Sequence, residues 1–337
     1  MKTIHLELDG GGYDITVGKG ILSRAGELFN LDRKVLILTD SGVPEIYAKT
    51  VASSAKNPLI VTVDEGEGSK SLKTYSYVCE KMLAFGMTRT DCVVAVGGGV
   101  VGDLAGFVAG SYMRGIDFYN IPTTTLSQID SSIGGKTAVN HCGVKNILGV
   151  FHQPKGVLID INVQLTLPKR QISSGLAEAV KMAMTFDEQL FCLIEQQDID
   201  NFVPEDIIIG ALNIKKRVVE LDEKENGLRR VLNFGHTFGH AIEAEEELNG
   251  LYHGECVALG MTYMCEGEVK ARLISLLSRL GLPTKYTGNV DKALGFISHD
   301  KKCDGEFVTC VFVDRIGSFR LEKMTQADFT RHISSQS

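Results

Sequence analysis

Val93–Gly110 reads VVAVGGGVVGDLAGFVAG, an apolar run followed by three consecutive glycines and a segment of small apolar residues. The β-branched run is typical of a buried strand, and the segment after the glycines favours a closely packed helix. Glycines at such a turn let the backbone approach a phosphate, whose charge the helix N-terminus favours. The stretch predicts a parallel α/β sheet with a dinucleotide site. It lacks the GxGxxG pattern, however, and a glycine turn alone indicates only a tight connection.

Apolar, β-branched runs alternate with helical patterns throughout the first half of the chain. They fall at residues 34–40, 58–63, 92–99, 116–125 and 156–161. This alternation predicts parallel strands joined by helices, with ligands bound at the carboxyl ends of the strands. Asp40 ends one run and Asp103 lies one turn inside the helix after the glycines, so both are candidate partners of a ribose hydroxyl.

The pattern changes after LTLPKRQ (165–171), where long amphipathic helices replace the strands. In residues 204–225, for example, apolar side chains recur every three or four positions. Residues 307–324 predict a small hairpin that turns at residues 315–317. We therefore predict an α/β protein with an N-terminal, Rossmann-like parallel-sheet domain (residues 1–165) that binds a dinucleotide. A mainly α-helical C-terminal domain (residues 166–337) is expected to follow it.

Composition excludes several classes of protein. The chain has 337 residues, of which 44% are hydrophobic and 23% charged, the balance of a globular protein with a sizeable core,. A net charge of -7 argues against general nucleic-acid binding,. No apolar run has the length of a membrane span and the N-terminus has no signal-peptide pattern, so we expect a cytoplasmic protein. The eight cysteines form no CxxC pair, which argues against a thiolate zinc site and a disulfide framework,.

A polar segment, PTTTLSQIDSSIGGKTAVNHCGVKN, covers residues 122–146. Asp130, Lys136, Lys145 and Asn146 stand among hydroxyl side chains and a pair of glycines. This mixture suits a polyhydroxylated anion, since lysine offers a point charge to phosphate or carboxylate and aspartate accepts from hydroxyls. A solvated polar loop is the alternative, and it leaves the GGK and KN pairs without a role.

Three of the eight histidines lie in NFGHTFGHAIEAEEELNGLYHGE, residues 233–255. His236 and His240 are four residues apart, so on a helix their imidazoles share one face, as two ligands of one ion require. His253 follows the turn signal at residues 249–250 and can return to the same end of that helix. The metalloprotease pattern HExxH is absent. Solvated surface histidines are the alternative interpretation.

Residues 174–184, SGLAEAVKMAM, place Glu178 and Lys181 three residues apart on one face of a predicted helix. Such a couple is most often a surface ion pair of little energetic value. Here Glu178 offers the carboxylate that the histidine cluster lacks. One glutamate and two histidines form a catalytic zinc set with positions left open for substrate oxygens.

Taken together, VGGGVVGDLAGFVA, the PTTTLSQIDSSIGGKTAVN run, KN at 145–146, FHQP, SGLAEAVK and GLRRVLNFGHTFGHAIE resemble the 3-dehydroquinate synthase family of sugar-phosphate cyclases. The resemblance runs from about residue 40 to residue 317. It implies a homodimer that uses NAD and zinc, with cobalt as an alternative ion. It also implies conversion of 3-deoxy-D-arabino-heptulosonate 7-phosphate into 3-dehydroquinate and phosphate, a step of the shikimate pathway to aromatic amino acids.

The resemblance also implies the site residues. The metal ligands become Glu178, His236 and His253, whereas helical spacing pairs His236 with His240. The implied cofactor contacts are Asp40, Glu67, Lys70, Gly98, Gly99, Val100, Asp103, Thr123, Thr124, Lys136, Lys145 and Thr166. The implied catalytic and substrate contacts are Asp130, Lys136, Lys145, Asn146, Lys181, Lys215, Arg229, Asn233 and His240. Arg114 is implied to reach the neighbouring subunit's phosphate, and either Lys301 or Lys302 is implied to contact substrate.

Two departures from the family pattern bear on affinity. GVKN stands where GKN without Val144 is more common, and Gln171 replaces an acidic residue near the nucleotide. Neither change removes a group that the chemistry requires.

Three alternatives remain at this point. A metal-dependent alcohol or polyol dehydrogenase accounts for NAD and metal, but not for the lysines and Arg114. A cyclase whose substrate has no carboxylate gives no role to Lys215 and Arg229. An NAD- or metal-sensing binding protein needs neither the lysine cluster nor a metal with open positions.

Overall fold

The computed structural model describes residues 1–200, 202, 204–245, 250–297, 303–304 and 307–336. Lys301 and Lys302 lie outside the described residues. The chain forms two compact units, Met1–Leu167 and Pro168–Ser337.

The first unit contains a large sheet, a small hairpin and surrounding helices. Its strands are β1 (Lys2–Leu6), β2 (Tyr13–Gly18), β3 (Lys34–Asp40), β4 (Asn57–Val63), β5 (Cys92–Gly97), β6 (Asp117–Pro122), β7 (Lys136–His141), β8 (Val144–Phe151) and β9 (Gly156–Asp160). Its α-helices are α1 (Ala25–Leu28), α2 (Glu45–Ser53), α3 (Leu72–Ala84) and α4 (Gly99–Ser111). Short 3-10 helices cover Leu22–Arg24, Glu67–Ser69, Tyr112–Arg114 and Ile161–Thr166, and a π-helix covers Ser127–Ser131.

The large sheet has the strand order β1-β2-β9-β6-β5-β3-β4. β1 pairs antiparallel with β2, and every other neighbouring pair is parallel. The five predicted runs form β3, β4, β5, β6 and β9, which confirms the Rossmann-like sheet. β5 ends at Gly97 rather than at residue 99, because Gly98 is already the N-cap of α4.

Helices cover both faces of this sheet, and the strands are therefore apolar along their whole length. Leu36 and Leu38 of β3 pack in one core with Leu104 of α4. Val35 and Ile37, which point to the opposite face, pack in a second core with side chains of α2. Burial on both faces explains why these strands read as continuous β-branched runs rather than as an alternating pattern.

The polar segment 122–146, expected as a loop, is partly regular. It contains the π-helix Ser127–Ser131, and β7 pairs antiparallel with β8 in a separate two-stranded sheet with an irregularity between Val139 and His141. Most residues of β8 are exposed. The hairpin was missed because an exposed strand has no buried face to impose a period of two.

The second unit is mainly helical. Its helices are α5 (Lys169–Phe186), α6 (Glu188–Glu195), α7 (Pro204–Leu221), α8 (His236–Glu245), α9 (His253–Thr262), α10 (Gly267–Arg279), α11 (Val290–Gly295) and α12 (Gln326–Ser334), with a 3-10 helix at Leu228–Asn233. Strands β10 (Cys303–Asp304), β11 (Phe307–Phe312) and β12 (Arg320–Thr325) form an antiparallel sheet, which confirms the predicted hairpin. The helix predicted at 204–225 forms as α7, which ends at Leu221. α5 packs against α7 and α9, and α8 packs against α9.

Within the described parts of the chain, no helix combines the length and hydropathy that crossing a membrane would require. No disulfide links the seven cysteines whose side chains are described.

Candidate functional site

In the first unit, the predicted nucleotide residues gather at the carboxyl ends of three neighbouring strands. Asp40 ends β3, Gly98 follows β5 and Thr123 follows β6. The Thr123 amide donates to the carbonyl of Gly97 at 2.9 Å, which ties the two strand ends together. Ligands of open parallel sheets bind at this edge.

The glycine turn leads directly into α4 and leaves little room for side chains. A Cβ at Gly98 would lie 3.0 Å from Cγ2 of Thr124, and one at Gly99 would lie 3.2 Å from Oγ of Ser131. Gly98, Gly99 and Val100 are all partly exposed. The first amides of α4 are therefore accessible beside a turn with no side chains, a combination that can bind a phosphate.

Lys70, Glu67 and Asp103, three predicted cofactor contacts, form one network. The Lys70 side chain is buried, and its Nζ lies 2.6 Å from Asp103 Oδ2 and 3.7 Å from Glu67 Oε1. Asn140, which the sequence analysis missed, joins this network. Its Nδ2 donates to Glu67 at 2.7 Å and its Oδ1 accepts from the amide of Asn146 at 2.8 Å. No local signal distinguishes Asn140 from the other polar residues of its segment.

Asp40 and Thr166 are already engaged within this unit. Asp40 Oδ1 accepts from the amides of Gly42 at 2.9 Å and Val43 at 3.2 Å, which fixes the turn after β3. Burial raises the pKa of Asp40, and these hydrogen bonds offset only part of the effect,. The hydroxyls of Thr166 and Tyr47 lie 2.9 Å apart.

The remaining predicted anion contacts of this unit lie on irregular or exposed backbone. Asp130 is in the π-helix, while Lys136 and Lys145 are exposed on the β7–β8 hairpin. Asn146 has φ 54° and the exposed Arg114 has φ 69°. Residues other than glycine seldom adopt this left-handed conformation, and where they do a functional constraint is a common reason.

In the second unit, the predicted metal ligands converge from three helices. Glu178 of α5 has 1% of its side chain exposed, and its Oε1 lies 3.4 Å from Nε2 of both His236 and His253. Tetrahedral ligands at about 2.1 Å from zinc are about 3.4 Å from one another, so this donor set fits the ion.

The other ring nitrogen of each histidine has its own partner. Nδ1 of His236 lies 3.2 Å from the carbonyl oxygen of Phe234, and Nδ1 of His253 lies 3.1 Å from Oε2 of Glu243. When these Nδ1 atoms carry the protons, they donate to the oxygens and leave both Nε2 lone pairs directed at Glu178. Such outer partners commonly fix the orientation of metal-binding histidines.

His240 belongs to the same cluster. Its ring centroid is 5.3 Å from that of His236 and 5.7 Å from that of His253, and ligand atoms of the three histidines lie within 4.8 Å of one another. The structure thus gathers the histidine pair that spacing indicated together with His253 and with Glu178, the carboxylate that the sequence offered to this cluster. The alternative of solvated surface histidines is wrong for His236, which is buried.

The Glu178–Lys181 pair is buried rather than on the surface, which corrects the usual interpretation of such a couple. Burial alone would raise the pKa of Glu178, but the Lys181 ammonium and the His236 imidazole hold it well below its usual range. Burial acts to lower the pKa of His253, yet hydrogen bonds to Glu178 and Glu243 raise it to about 9.

Two more buried cations lie in this unit. Lys215 of α7 is 5% exposed and Arg229 is 3% exposed. Arg229 Nη1 donates to the carbonyl of Glu223, and Asn233 Nδ2 donates to Glu225 Oε1 at 3.1 Å. Lysine and arginine side chains are rarely buried unless they are paired, because removing a charge from water is costly.

Known proteins resemble this chain over nearly its whole length. Sequence profiles of the 3-dehydroquinate synthase N-terminal and C-terminal regions match residues 60–174 and 175–303. A 3-dehydroquinate synthase of Streptococcus suis is 41% identical over 334 residues, covering 93% of this chain and 94% of the relative.

Two solved cyclases have similar structures. A 2-deoxy-scyllo-inosose synthase complexed with carbaglucose-6-phosphate, NAD+ and Co2+ has a TM-score of 0.89 at 26% identity, covering 99% of this chain and 100% of that chain. A 2-epi-5-epi-valiolone synthase from Streptomyces hygroscopicus with NAD+ and Zn2+ bound has a TM-score of 0.85 at 27% identity, covering 96% of each chain. The profiles and the curated relative together show that the chain belongs to the 3-dehydroquinate synthase family.

Proposed function

We propose that this protein is an NAD- and zinc-dependent lyase that converts 3-deoxy-D-arabino-heptulosonate 7-phosphate into 3-dehydroquinate and inorganic phosphate. The observation that carries the proposal is the buried carboxylate of Glu178, 3.4 Å from Nε2 of both His236 and His253, in a chain of this family. The reaction belongs to the shikimate pathway to aromatic amino acids. We place the enzyme in the cytoplasm as a homodimer.

The chain has residues suited to bind each of the two cofactors. The amides at the start of α4, with Gly98, Gly99 and Val100, would bind the NAD pyrophosphate, and the Lys70–Asp103 pair would lie beside the dinucleotide,. Glu178, His236 and His253 would hold zinc, and cobalt has ligand preferences close enough to replace it. When bound, NAD takes up and returns a hydride at a secondary alcohol while zinc polarises the hydroxyl.

The cationic residues have two tasks in this proposal. Lys215 and Arg229 bind the substrate carboxylate, and this clamp holds an open chain in one conformer for ring closure. Elimination requires donors where charge develops on the leaving phosphate. We assign this role to Lys136, Asn146 and His240, and to Arg114 of a neighbouring subunit. We propose that the leaving phosphate itself serves as the base in this elimination.

The assignments of the other residues extend the same scheme. Lys181 holds charge next to Glu178 and the substrate hydroxyls, while Asp130, Lys145 and Asn233 accept from or donate to the substrate. Glu67, Thr123, Thr124, Asp40 and Thr166 contact the nucleotide.

A three-substrate comparison tests this function. The purified protein, loaded with zinc and NAD, is offered the heptulosonate phosphate, a hexose 6-phosphate without a carboxylate, and glycerol. We expect phosphate release from the first substrate alone. Release only from the hexose phosphate would indicate a cyclase of different specificity, and steady NADH formation from glycerol would indicate a dehydrogenase. If none of the three is turned over although NAD and zinc bind, a binding protein would be favoured.

A further inference from the structure

The segment 250–255, which contains His253, is bound by an arginine to which the proposed function gives no role. Arg170 lies in the first turn of α5, and its Nε and Nη2 each donate at 2.7 Å to a different carboxylate oxygen of Glu255. Nη2 also donates to the carbonyl of Gly250 at 2.6 Å. The guanidinium lies over the Tyr252 ring, with Cζ 4.3 Å from its centroid. One side chain thus contacts three residues of the segment 250–255.

Glu255 transmits this contact to the start of α9. Its Oε2 accepts from the amide of Tyr252 at 2.7 Å, and its own amide donates to the carbonyl of Tyr252 at 2.9 Å, which ties the N-cap residue to the first turn of the helix. Glu255 is 5% exposed, so its charge is largely removed from water and depends on its partners,. His253 lies between Tyr252 and Glu255, and both of its flanks are therefore fixed through Arg170.

A second contact joins the same turn to α5. The amide of Gly254 donates to Oγ of the buried Ser174 at 3.1 Å. A Cβ at Gly254 would lie 1.8 Å from the carbonyl oxygen of Ser174, so the two backbones approach as closely as glycine permits. Ser174 and Glu178 are four residues apart on α5 and share a face. The contact therefore sets the distance between the start of α9 and the helix that carries Glu178.

We propose that Arg170 is a positioning residue for the metal site. By binding Glu255, Tyr252 and Gly250, it holds Nε2 of His253 at 3.4 Å from Oε1 of Glu178, the spacing that two ligands of one zinc ion require. It thereby raises the affinity for zinc. The inference rests on the proposed zinc site. An exposed Arg–Glu pair would contribute little, but this one is bidentate, has a buried carboxylate and lies over an aromatic ring.

The chain supplies a matched control. Arg272 of α10 makes a bidentate pair with Glu195, at 3.1 and 2.6 Å, and lies over the Phe191 ring at 5.1 Å. It belongs to the same unit and joins α10 to α6, and none of these contacts involves residues 250–255. Loss of either arginine removes a similar set of contacts, so any difference in zinc affinity reports on position rather than on general stability.

The experiment measures zinc affinity of the metal-free protein by competition with a chelating dye, for Arg170→Met, Arg170→Lys and Arg272→Met. We expect Arg170→Met to bind zinc roughly 10- to 100-fold more weakly, the usual effect of removing an outer partner of a metal ligand. Arg170→Lys keeps the positive charge but cannot donate two hydrogen bonds in the bidentate geometry of arginine. Its zinc affinity should therefore lie between that of Arg170→Met and that of the native protein. Arg272→Met should match the native protein. Amide hydrogen exchange in residues 250–256 should rise only in the Arg170 variants.

Native affinity in Arg170→Met, or an equal loss in Arg272→Met, would overturn the inference. If Arg170→Met does not fold, Arg170→Lys decides, and native affinity and exchange in that variant would refute the clamp. Absence of zinc binding by the native protein would instead refute the proposed function, so the two failures are distinguishable.

Discussion

His240 and His253 are almost equally close to His236, but their surroundings differ. His253 Nε2 faces Glu178 at 3.4 Å and its Nδ1 faces Glu243 at 3.1 Å, so both nitrogens have the partners of a metal ligand. His240 lies one helical turn after His236, with its ring 5.3 Å away. We propose that His253 binds the metal and that His240 serves the leaving phosphate as a donor and proton carrier.

Alanine variants of the three histidines separate these roles. His236→Ala and His253→Ala should lose bound zinc and activity together, because the ion keeps only two of its three protein ligands. His240→Ala should retain zinc while turnover falls by roughly 100-fold or more, the usual contribution of a positioned acid or base. Metal content per subunit and phosphate release are measured, with circular dichroism as the check of folding. Should His240→Ala lack zinc while His253→Ala retains it, the ligand pair indicated by helical spacing would be right.

Arg229 is a second residue whose role can be isolated. Arg229→Leu should weaken substrate binding by about 10- to 100-fold, because hydrogen bonds to a charged group contribute about 1.5–3 kcal/mol and leucine has no donor. NAD affinity should stay unchanged. Arg230→Leu, at the exposed neighbouring position, is the control. NAD and substrate are titrated separately, and an equal loss of both affinities would point to misfolding instead of a carboxylate clamp.

At the scale of elements, the turn between β5 and α4 determines whether a dinucleotide can approach. Gly98 has φ -76°, so alanine is compatible with its backbone, but the added Cβ would lie 3.0 Å from Thr124. We expect Gly98→Ala to weaken NAD binding by about tenfold, since crowding of this kind costs about 1–3 kcal/mol. Gly10→Ala, where a Cβ meets nothing within 4 Å, is the control.

NAD affinity and zinc content are measured for both glycine variants. The zinc content should be unchanged in both variants, because the proposed metal ligands belong to the second unit. If Gly98→Ala binds NAD with native affinity, the glycine turn does not belong to the cofactor site.

Elements with a strong periodic pattern could be predicted from the sequence, and those fixed by distant contacts could not. β3 and β5 are buried on both faces, so their composition alone identifies them,. The β7–β8 hairpin contains many polar residues, and most of β8 is exposed. Its sequence therefore lacks the alternation of apolar and polar residues that would predict a strand. Spacing could pair His236 with His240 because both lie on α8, whereas Glu178 and His253 meet through the packing of α5 against α9. Arg170 and Glu255 meet through the same packing.

At the scale of the whole molecule, the proposed homodimer makes a prediction about Arg114. This residue is exposed and lies between Met113 and Gly115, which also have positive φ. If Arg114 serves the neighbouring subunit's site, Arg114→Ala and His240→Ala should each be nearly inactive but should complement one another when mixed. In a mixed dimer, one site receives an intact Arg114 and an intact His240.

Random reassembly of equal amounts gives half mixed dimers, each with one competent site, so about a quarter of native activity should return. The two variants are unfolded and refolded together, and each variant refolded alone is the control. No recovery in the mixture, with folded dimers present, would place Arg114 in the site of its own subunit.

The central claim is that NAD is reduced to NADH and re-oxidised within each turnover of a phosphate elimination. The most direct test follows phosphate release and absorbance at 340 nm together, in one reaction with zinc-loaded protein, one NAD per subunit and excess heptulosonate phosphate. Phosphate should accumulate to many times the amount of NAD supplied, because the hydride returns to the substrate within each turnover and the cofactor is regenerated. NADH formed in step with phosphate, or phosphate release that stops once NAD is consumed, would contradict the account.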